Sequence, residues 1–368
     1  MAVDSVLSLL EELVTIGAPT FHEKRRSDFM VAWLKRELPM GEVGQDEAGN
    51  IWVDLSGGEG KVLLVDAHID TVFPHETLEV RKEAGRWHAP GVYDNTVSCA
   101  QLMLWLKRAA EAGRPLPVIG VFTVGEEGEG NLAGVRAMAK RFKDRALGAL
   151  VLDLSLREAA REAIGSVRYE LTFSTKGGHS WNHFGEPNAI HEAARWIGRL
   201  EKAFPWERGL RSFNVGTIEG GTGINVIAAA ARFKLDVRSL QPAFLEAFRR
   251  WLEGELAAYP EGSGVALLAR EIGYREAGVL EENHPLVKLV EETHRELALP
   301  LEWQALSTNS NGYLGAGIPS VVTGVADGSG VHTEQEYLEL DSVATGERKL
   351  AAMMERWLKQ NAGGAGKE

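Results

Sequence analysis

The chain has 368 residues, of which 44% are hydrophobic and 25% charged, which is typical of a globular protein and long enough for two domains. A net charge of −12, with no extended Lys/Arg cluster, argues against a nucleic-acid partner. The single cysteine excludes an internal disulfide, no apolar stretch reaches membrane-spanning length, and the amphipathic start lacks the pattern of a signal peptide. We therefore expect a cytoplasmic protein without a membrane partner.

Several polar side chains follow apolar runs that predict buried strands, and one precedes a predicted helix. In chain order the segments are the run Val62 to Ala67 before His68-Ile69-Asp70, the loop Gly91 to Asp94 before a helical stretch at Val97, the run Val118 to Val124 before Glu126-Glu127, the run Ala149 to Leu152 before Asp153, and the run Ser320 to Asp327 before Gly330-Val331-His332. In open α/β sheets ligands bind beyond the carboxyl ends of the strands, so we expect these groups to converge.

Such a site would hold two imidazoles and several carboxylates. Taken singly, each strand-end Asp could cap the following helix, and each His could be an ordinary hydrogen-bonded group. Taken together, clustered carboxylates repel one another unless a cation neutralises them, and imidazole with carboxylate suits zinc, with manganese or cobalt as substitutes. The sequence therefore predicts a pair of divalent metal ions.

A second pattern lies between residues 165 and 274. Its predicted strands alternate in polarity and are interrupted by two helical stretches, in the order strand, helix, strand, strand, helix, strand. This order is that of a ferredoxin-like α+β domain. We expect it to be inserted into a catalytic domain formed by residues 1–164 and 275–362, with a disordered tail at 363–368.

The motif series as a whole resembles the dinuclear zinc aminoacylase and carboxypeptidase family, which includes acetylornithine deacetylase, succinyl-diaminopimelate desuccinylase, carboxypeptidase G and peptidase T. The resemblance rests on five motifs in the family's order: His68-x-Asp70, Gly91-x-x-Asp94, Glu126-Glu127-Gly128, Asp153 and Gly330-x-His332. It implies a zinc-exopeptidase-like α/β domain, in which helices flank a mixed, mainly parallel sheet, plus an inserted lid and dimerisation domain. It further implies a homodimer that cleaves an amide bond in a short peptide or N-acyl amino acid.

The resemblance also implies roles for individual residues. Asp94 bridges two metal ions, His68 and Asp153 complete one metal site, and Glu127 and His332 complete the other. Glu126 matches the general base, which takes a proton from the attacking water. Asp70, two residues beyond His68 on the same strand, is expected to accept the other ring N–H of that ligand.

Within the insert, three further positions match substrate-contacting residues of the family. His179 corresponds to an imidazole that polarises the scissile carbonyl, often across a dimer interface. Asn225 lies in a glycine-rich turn, and Arg238 suits a substrate carboxylate because its planar fork pairs with a carboxylate bidentately. If the resemblance is set aside, the sequence around His179 is typical of an ordinary turn, and Arg238 is typical of a surface charge on a strand.

Two positions depart from the family pattern. Asn95 stands where many relatives carry an acid or a lysine after the bridging Asp, and Asn309 stands where relatives often carry an acid. We expect Asn309 to contact substrate and both changes to tune specificity or metal preference. Neither change removes a metal ligand.

Two other functions are compatible with parts of the sequence. A non-catalytic binding protein on the same fold would be favoured by a lost ligand or a lost Glu126, and none is lost. A nucleotide-binding oxidoreductase is suggested only by Gly125, Gly128 and Gly130 after a strand, but the interleaved glutamates would repel a pyrophosphate. Metal content separates the hydrolase from the oxidoreductase, and turnover separates it from the binding protein.

Overall fold

The computed structural model describes residues 2–260 and 262–361, so the predicted disordered tail at 363–368 lies outside the described residues. The chain forms two compact units. Unit 1 comprises the described residues of Met1–Ala163 and Val279–Glu368, and unit 2 comprises those of Ile164–Gly278. The sequence predicts an insert at 165–274, and its standing as a separate domain stays a prediction.

The helices of the described chain, followed by two short helical turns, are α1 (Ala2–Thr15), α2 (Lys24–Glu37), α3 (Val97–Ala110), α4 (Ala133–Phe142), α5 (Ala189–Ala203), α6 (Pro242–Ala257), α7 (Pro285–Glu296), α8 (Asn309–Gly315), α9 (Leu340–Asn361), Val92–Thr96 and Gly128–Gly130. The strands are β1 (Glu42–Gln45), β2 (Ile51–Asp54), β3 (Val62–His68), β4 (Arg81–Glu83), β5 (Arg86–His88), β6 (Val118–Thr123), β7 (Ala146–Leu152), β8 (Glu158–Ala163), β9 (Gly165–Thr175), β10 (Gly178–His179), β11 (Arg211–Gly220), β12 (Val226–Ile227), β13 (Ala230–Ser239), β14 (Val265–Arg275), β15 (Gly278–Val279), β16 (Glu302–Leu306), β17 (Ser320–Thr323), β18 (Asp327–Ser329) and β19 (Tyr337–Glu339). Among the described helices, none has the length and apolar character needed to cross a bilayer.

The main sheet of unit 1 is mixed, with a parallel centre. Its strand order includes β1-β2-β6-β3-β7-β17-β8, and β16 pairs with β8. The four central strands β6, β3, β7 and β17 are parallel, whereas β1, β2 and β8 pair antiparallel to their inner neighbours. The carboxyl ends of β3, β6 and β7 therefore meet at one edge, as the sequence predicts for His68, Glu126 and Asp153.

Both faces of this sheet are buried. Along β3, Leu63 and Val65 belong to one apolar cluster, which includes residues of α1, α2, α3 and α9, whereas Val62 and Leu64 belong to another, which includes residues of α4. Alternate side chains of a strand point to opposite faces, so a continuous apolar run is what two covered faces require. The helices thus hold the strand ends in a fixed frame.

A second, antiparallel sheet of unit 1 corrects one part of the strand-end prediction. It has the order β18-β19-β5-β4, and His332 follows β18 of this sheet and not β17 of the main sheet. The strand β17 ends at Thr323, and the chain then turns into β18 before it reaches His332. The site therefore draws its ligands from two sheets.

Unit 2 has the predicted ferredoxin-like order. Four antiparallel strands lie in the sequence β11-β13-β9-β14, and α5 and α6 pack on the sheet. The alternating strand β13 buries Phe233, Leu235 and Val237, which pack with Trp196 of α5 and Phe248 of α6. Half-buried alternation is what a sheet with helices on one face produces. The strands β11 and β14 are the two edges of this sheet.

Candidate metal centre

Asp94 lies between two histidines. One carboxylate oxygen, Oδ1, is 3.2 Å from Nε2 of His68, and the other, Oδ2, is 3.3 Å from Nε2 of His332. Each oxygen of a single carboxylate thus faces a different imidazole. This is the arrangement that a carboxylate shared between two metal ions requires.

Two groups of potential ligand atoms share this carboxylate. His68, Asp94 and Asp153 form one group, and Asp94, Glu127 and His332 form the other, with the ligand atoms of each group within 4.8 Å of one another. Oε1 of Glu127 is 3.0 Å from Nε2 of His332. The structure therefore brings together the five residues predicted as metal ligands, in the two sets that the family resemblance implies.

The groups of this cluster shift one another's pKa values. Burial of the His68 ring opposes its protonation, yet the carboxylates of Asp70 and Asp94 raise its pKa well above the ordinary value. Hydrogen bonds to Asp94 and Glu127 raise the pKa of His332 to about 10. Burial, and then the charge of Asp94, raise the pKa of Asp153 to about 7. The cluster holds more negative charge than two imidazoles neutralise, and such a donor set fits divalent cations.

The backbone around His68 fixes which ring nitrogen faces Asp94. Nδ1 lies 3.0 Å from the carbonyl oxygen of Asp70 and donates its proton to it, which leaves Nε2 as the ring nitrogen that would bind a metal ion. The Asp70 carboxylate, which the sequence predicts as the acceptor of this N–H, is 3.7 Å from Nδ1, beyond hydrogen-bond length. The acceptor is instead the backbone carbonyl of Asp70. Cys99, buried in α3, donates its thiol to the carbonyl oxygen of His68, 3.1 Å away, and burial raises its pKa to about 12.

The Asp70 carboxylate instead holds the loop that carries the two glutamates. It accepts the backbone N–H of Glu126 at 3.0 Å and that of Glu127 at 2.9 Å, and the hydroxyl of Thr20 at 2.9 Å. Burial opposes its charge, but the interaction with His68 and these N–H groups keep the pKa of Asp70 below its ordinary value. Asp70 thereby fixes the start of the Glu126-Glu127 segment.

The side chains of Glu126 and Glu127 are both largely buried and approach the metal-binding cluster. A ligand atom of Glu126 lies within 4.8 Å of those of His68 and Glu127, whereas Glu127 also reaches His332. The loop is further held by Glu23, whose Oε1 accepts the N–H of Gly125 at 3.1 Å. The sequence gives no signal for Glu23, which precedes an ordinary amphipathic helix.

The loop that carries Asp94 is held by contacts that only certain residues can make. Gly91 has a φ of +73°, and a Cβ there would lie 2.4 Å from Cγ2 of Thr71, so another residue would strain the backbone and displace Thr71. Asn95 donates its side-chain amide to the carbonyl oxygen of Leu152 at 2.8 Å, next to Asp153. A carboxylate cannot donate this hydrogen bond, which gives a local reason for the departure at Asn95.

Glu336 contributes to the same loop, although the sequence gives no indication of it. It lies four residues after His332 in a polar stretch, yet its side chain is fully buried and accepts three backbone N–H groups, those of Gly91, Tyr93 and Asp94. Burial, opposed by these hydrogen bonds, raises its pKa to about 7.

Asn309 occupies a different environment from the one predicted. It is 1% exposed at the start of α8, and its amide donates to Asp66 at 3.3 Å and to the hydroxyl of Thr123 at 2.6 Å. Burial raises the pKa of Asp66 to about 7, and the amide is one of the groups that stabilise its charge. These contacts give Asn309 a structural role next to Asp66 and Thr123, and its contact with substrate stays a prediction.

In unit 2, His179 and Asn225 are neighbours. β10 pairs with β12 so that His179 lies opposite Val226, and Ser180 donates its N–H to the carbonyl oxygen of Asn225 at 2.9 Å. Nδ1 of His179 accepts the N–H of Trp181 at 3.2 Å, so the neutral ring carries its proton on Nε2. His179 is exposed and presents a hydrogen-bond donor.

Arg238 lies at the other end of the same sheet. In the pairing of β13 with β9, Arg238 is opposite Ser166 and Ala230 is opposite Ser174, whereas the His179 loop follows the end of β9. The eight residue-to-residue steps from Ala230 to Arg238 span roughly 26 Å of strand. Nε of Arg238 donates to Asp236 at 2.9 Å. The structure therefore does not bring Arg238 together with His179 in one chain.

Comparisons with known proteins identify the family of the chain. The model of peptidase family M20/M25/M40 matches residues 64–356. The chain is 26% identical over 251 residues to the peptidase M20 domain-containing protein C757.05c of Schizosaccharomyces pombe, a match that covers 64% of the chain and 61% of that protein, less than two thirds of its length. It is 24% identical over 340 residues to acetylornithine deacetylase of Myxococcus xanthus, covering 86% of each.

Solved structures share the fold. Aminopeptidase PepT of Bacillus cereus superposes with a TM-score of 0.79 at 19% identity, covering 96% of this chain and 98% of that one. The family match extends over more than half of the chain and includes every predicted metal ligand. The chain therefore belongs to peptidase family M20/M25/M40 and is a metal-dependent hydrolase of amide or peptide bonds with a dinuclear site.

Proposed function

We propose that this protein cleaves the amide bond of a short peptide or N-acyl amino acid at two divalent ions held by His68, Asp94, Glu127, Asp153 and His332. The observation that carries the proposal is the position of the Asp94 carboxylate, whose two oxygens face two different imidazoles. Zinc is the proposed metal, and manganese or cobalt would fit the same nitrogen and oxygen donors.

The reaction follows from the residues around that carboxylate. When bound, the two ions supply a water whose pKa is lowered towards ~7 and polarise the scissile carbonyl. Glu126 accepts the proton of the attacking water and passes it to the nitrogen that leaves. Asp70 positions Glu126 by holding its backbone N–H, and it positions the Glu127 ligand in the same way.

We further propose that the substrate carries a free carboxylate near the scissile amide. Arg238 offers a planar guanidinium that is 41% exposed, and its neighbour Asp236 orients it through Nε. A guanidinium oriented in this way pairs with a carboxylate through parallel hydrogen bonds.

A homodimer is part of the proposal. If Arg238 and His179 both contact one substrate, they cannot come from the same chain, because a dipeptide spans about 7 Å and the two residues lie at opposite ends of unit 2. We propose that His179 is the one that acts at the site of the partner chain, as the family resemblance implies. The two edge strands of unit 2, β11 and β14, are available for pairing with a second copy.

A cytoplasmic location completes the proposal. It is supported by the single cysteine of the chain, Cys99, which is buried and leaves no pair for a disulfide.

The first prediction concerns the metals. The purified protein is expected to bind about two divalent ions per chain, because the ligand atoms form two sets that share Asp94. Dialysis against a chelator is expected to abolish hydrolysis, and added zinc, manganese or cobalt to restore it. Elemental analysis and an activity assay check this. A reconstituted protein that hydrolyses substrate without bound metal would contradict the proposal.

The second prediction isolates the base. Glu126→Gln keeps the shape of the side chain but cannot accept the proton, so kcat is expected to fall by roughly 10²- to 10⁴-fold. Metal content is expected to stay at the parent value. Glu129→Gln, a change of the same kind at an exposed position of the same loop, is the matched control and is expected to retain activity. Near-parent turnover of Glu126→Gln would assign the base to another residue.

The third prediction tests the substrate class. Among dipeptides, tripeptides and N-acetyl or N-succinyl amino acids, those with a free carboxylate are expected to be cleaved with a higher kcat/KM than their carboxamides. Arg238→Ala is expected to reduce this preference by roughly 10- to 150-fold, the worth of a hydrogen bond to a charged group. Arg232→Ala, on the same strand but paired with Glu219, is expected to leave the preference unchanged. An equal rate on acid and carboxamide would refute the carboxylate requirement.

The fourth prediction tests the dimer. His179→Ala and Asp94→Ala chains are each expected to be inactive, but mixing them is expected to restore about a quarter of the parent activity. Half of randomly formed dimers are mixed, and one of the two sites in each combines an intact His179 with an intact metal centre. Mixing His179→Ala with the His179→Ala/Asp94→Ala double variant is the control and is expected to restore nothing. A monomeric protein, or mixed dimers without activity, would rule out the trans arrangement.

A further inference from the structure

Glu336 is neither a metal ligand nor a catalytic group of the proposed reaction, yet its side chain contacts the loop that carries Asp94. Its side chain is fully buried, and both carboxylate oxygens are occupied by the backbone of the Asp94 loop. Oε2 accepts the N–H of Gly91 at 3.0 Å, and Oε1 accepts the N–H groups of Tyr93 and Asp94, each at 2.9 Å. One side chain thus fixes three of the four residues that lead to the shared carboxylate.

These N–H groups need an external acceptor because of the local backbone. Asp94 has φ −105° and ψ 94°, and Asn95 is also non-helical, so the segment before α3 does not continue the hydrogen bonding of that helix. Buried backbone N–H groups are almost always paired, and unpaired ones are costly. Glu336 supplies the acceptors at the point where the backbone of Asp94 departs from the helical conformation.

The position of Glu336 in the chain gives it a second connection. It lies four residues after His332, and the turn between them is closed by hydrogen bonds from Thr333 to Gly330 and from Glu336 to Thr333. The loop of His332 and the loop of Asp94 are therefore joined by the Glu336 carboxylate. The two side chains so fixed face each other, with Nε2 of His332 3.3 Å from Oδ2 of Asp94.

We propose that Glu336 is a positioning residue that fixes Asp94 and His332 relative to each other and thereby sets the affinity of the site for its second divalent ion. The inference rests on the proposed function, because it takes Asp94 and His332 as ligands. Glu336 touches neither the substrate nor the ions. It acts through the backbone of Asp94 and through the loop of His332.

Two substitutions separate the positioning role from the charge of Glu336. Glu336→Gln keeps the volume, but its amide has only one accepting oxygen, so at least one backbone N–H faces an N–H donor. Glu336→Asp keeps the charge but is one methylene shorter and cannot reach all three N–H groups. If Glu336 acts by position, both variants are expected to bind the weaker zinc ion about 10- to 100-fold less tightly, as is usual when a partner behind a ligand is removed.

The measurement is a zinc titration in competition with a chromophoric chelator, followed by kcat and KM at increasing zinc. Both variants are expected to lose kcat at low zinc with little change in KM, and to recover kcat when excess zinc fills the site. Asp54→Asn is the matched control. Asp54, at the end of β2, is a buried carboxylate that accepts the N–H of Ser56 and pairs with Arg145. Its replacement is expected to lower stability without changing zinc affinity.

The outcomes distinguish this proposal from the proposed function. If the parent protein fails to bind two ions, the proposed function fails first. If the parent binds two ions and both Glu336 variants do so with parent affinity, the positioning role is overturned. A loss in Glu336→Gln but not in Glu336→Asp would assign the effect to charge and also overturn it. If neither variant folds with zinc present, Glu336 is a general determinant of the fold, and the proposal is again overturned.

Discussion

The arrangement of the site depends on one buried carboxylate, that of Asp94, which must present its two oxygens in two directions at once. The carboxylate can face both imidazoles only if the backbone of Asp94 is fixed, because a rotation of this backbone would move one oxygen away from its imidazole. The protein fixes it from three sides: Gly91 allows the close approach to Thr71, Asn95 ties the loop to the end of β7, and Glu336 accepts its N–H groups.

The loop that carries Glu126 and Glu127 is also held by buried carboxylates. Asp70 and Glu23 are acidic and buried, and both use their oxygens on backbone N–H groups of the loop that carries Glu126 and Glu127. Buried carboxylates are stabilised by such N–H groups, and each also adds negative charge near the metal-binding cluster. The acidic residues of this edge therefore divide into those that face the proposed ions and those that hold the backbone.

The sequence predicts the first set better than the second, for a physical reason. A ligand at a strand end is marked by the apolar run before it, which is how His68, Glu127 and Asp153 are found. Glu336 and Glu23 lack such a mark, because the ligand loops that they hold are distant in sequence and a local pattern carries no information about them. The same limit explains Asn309 and Asp70. Residue type and position suggested contacts with substrate and with a ring N–H, whereas tertiary packing directs these side chains to Asp66 and to the Glu126 loop.

The order of the elements of unit 2 is also predictable, because alternating polarity marks strands and the ferredoxin-like order follows from their sequence. What the pattern cannot give is the distance between residues at the two ends of one strand pair. Once β13 is paired with β9, Arg238 and the His179 loop are separated by most of the length of the sheet. Two residues that both contact a small substrate must then approach it from different sides, and a single copy of unit 2 cannot do so. The fold of unit 2 alone thus makes a second chain a requirement of any mechanism that uses both side chains at one scissile bond.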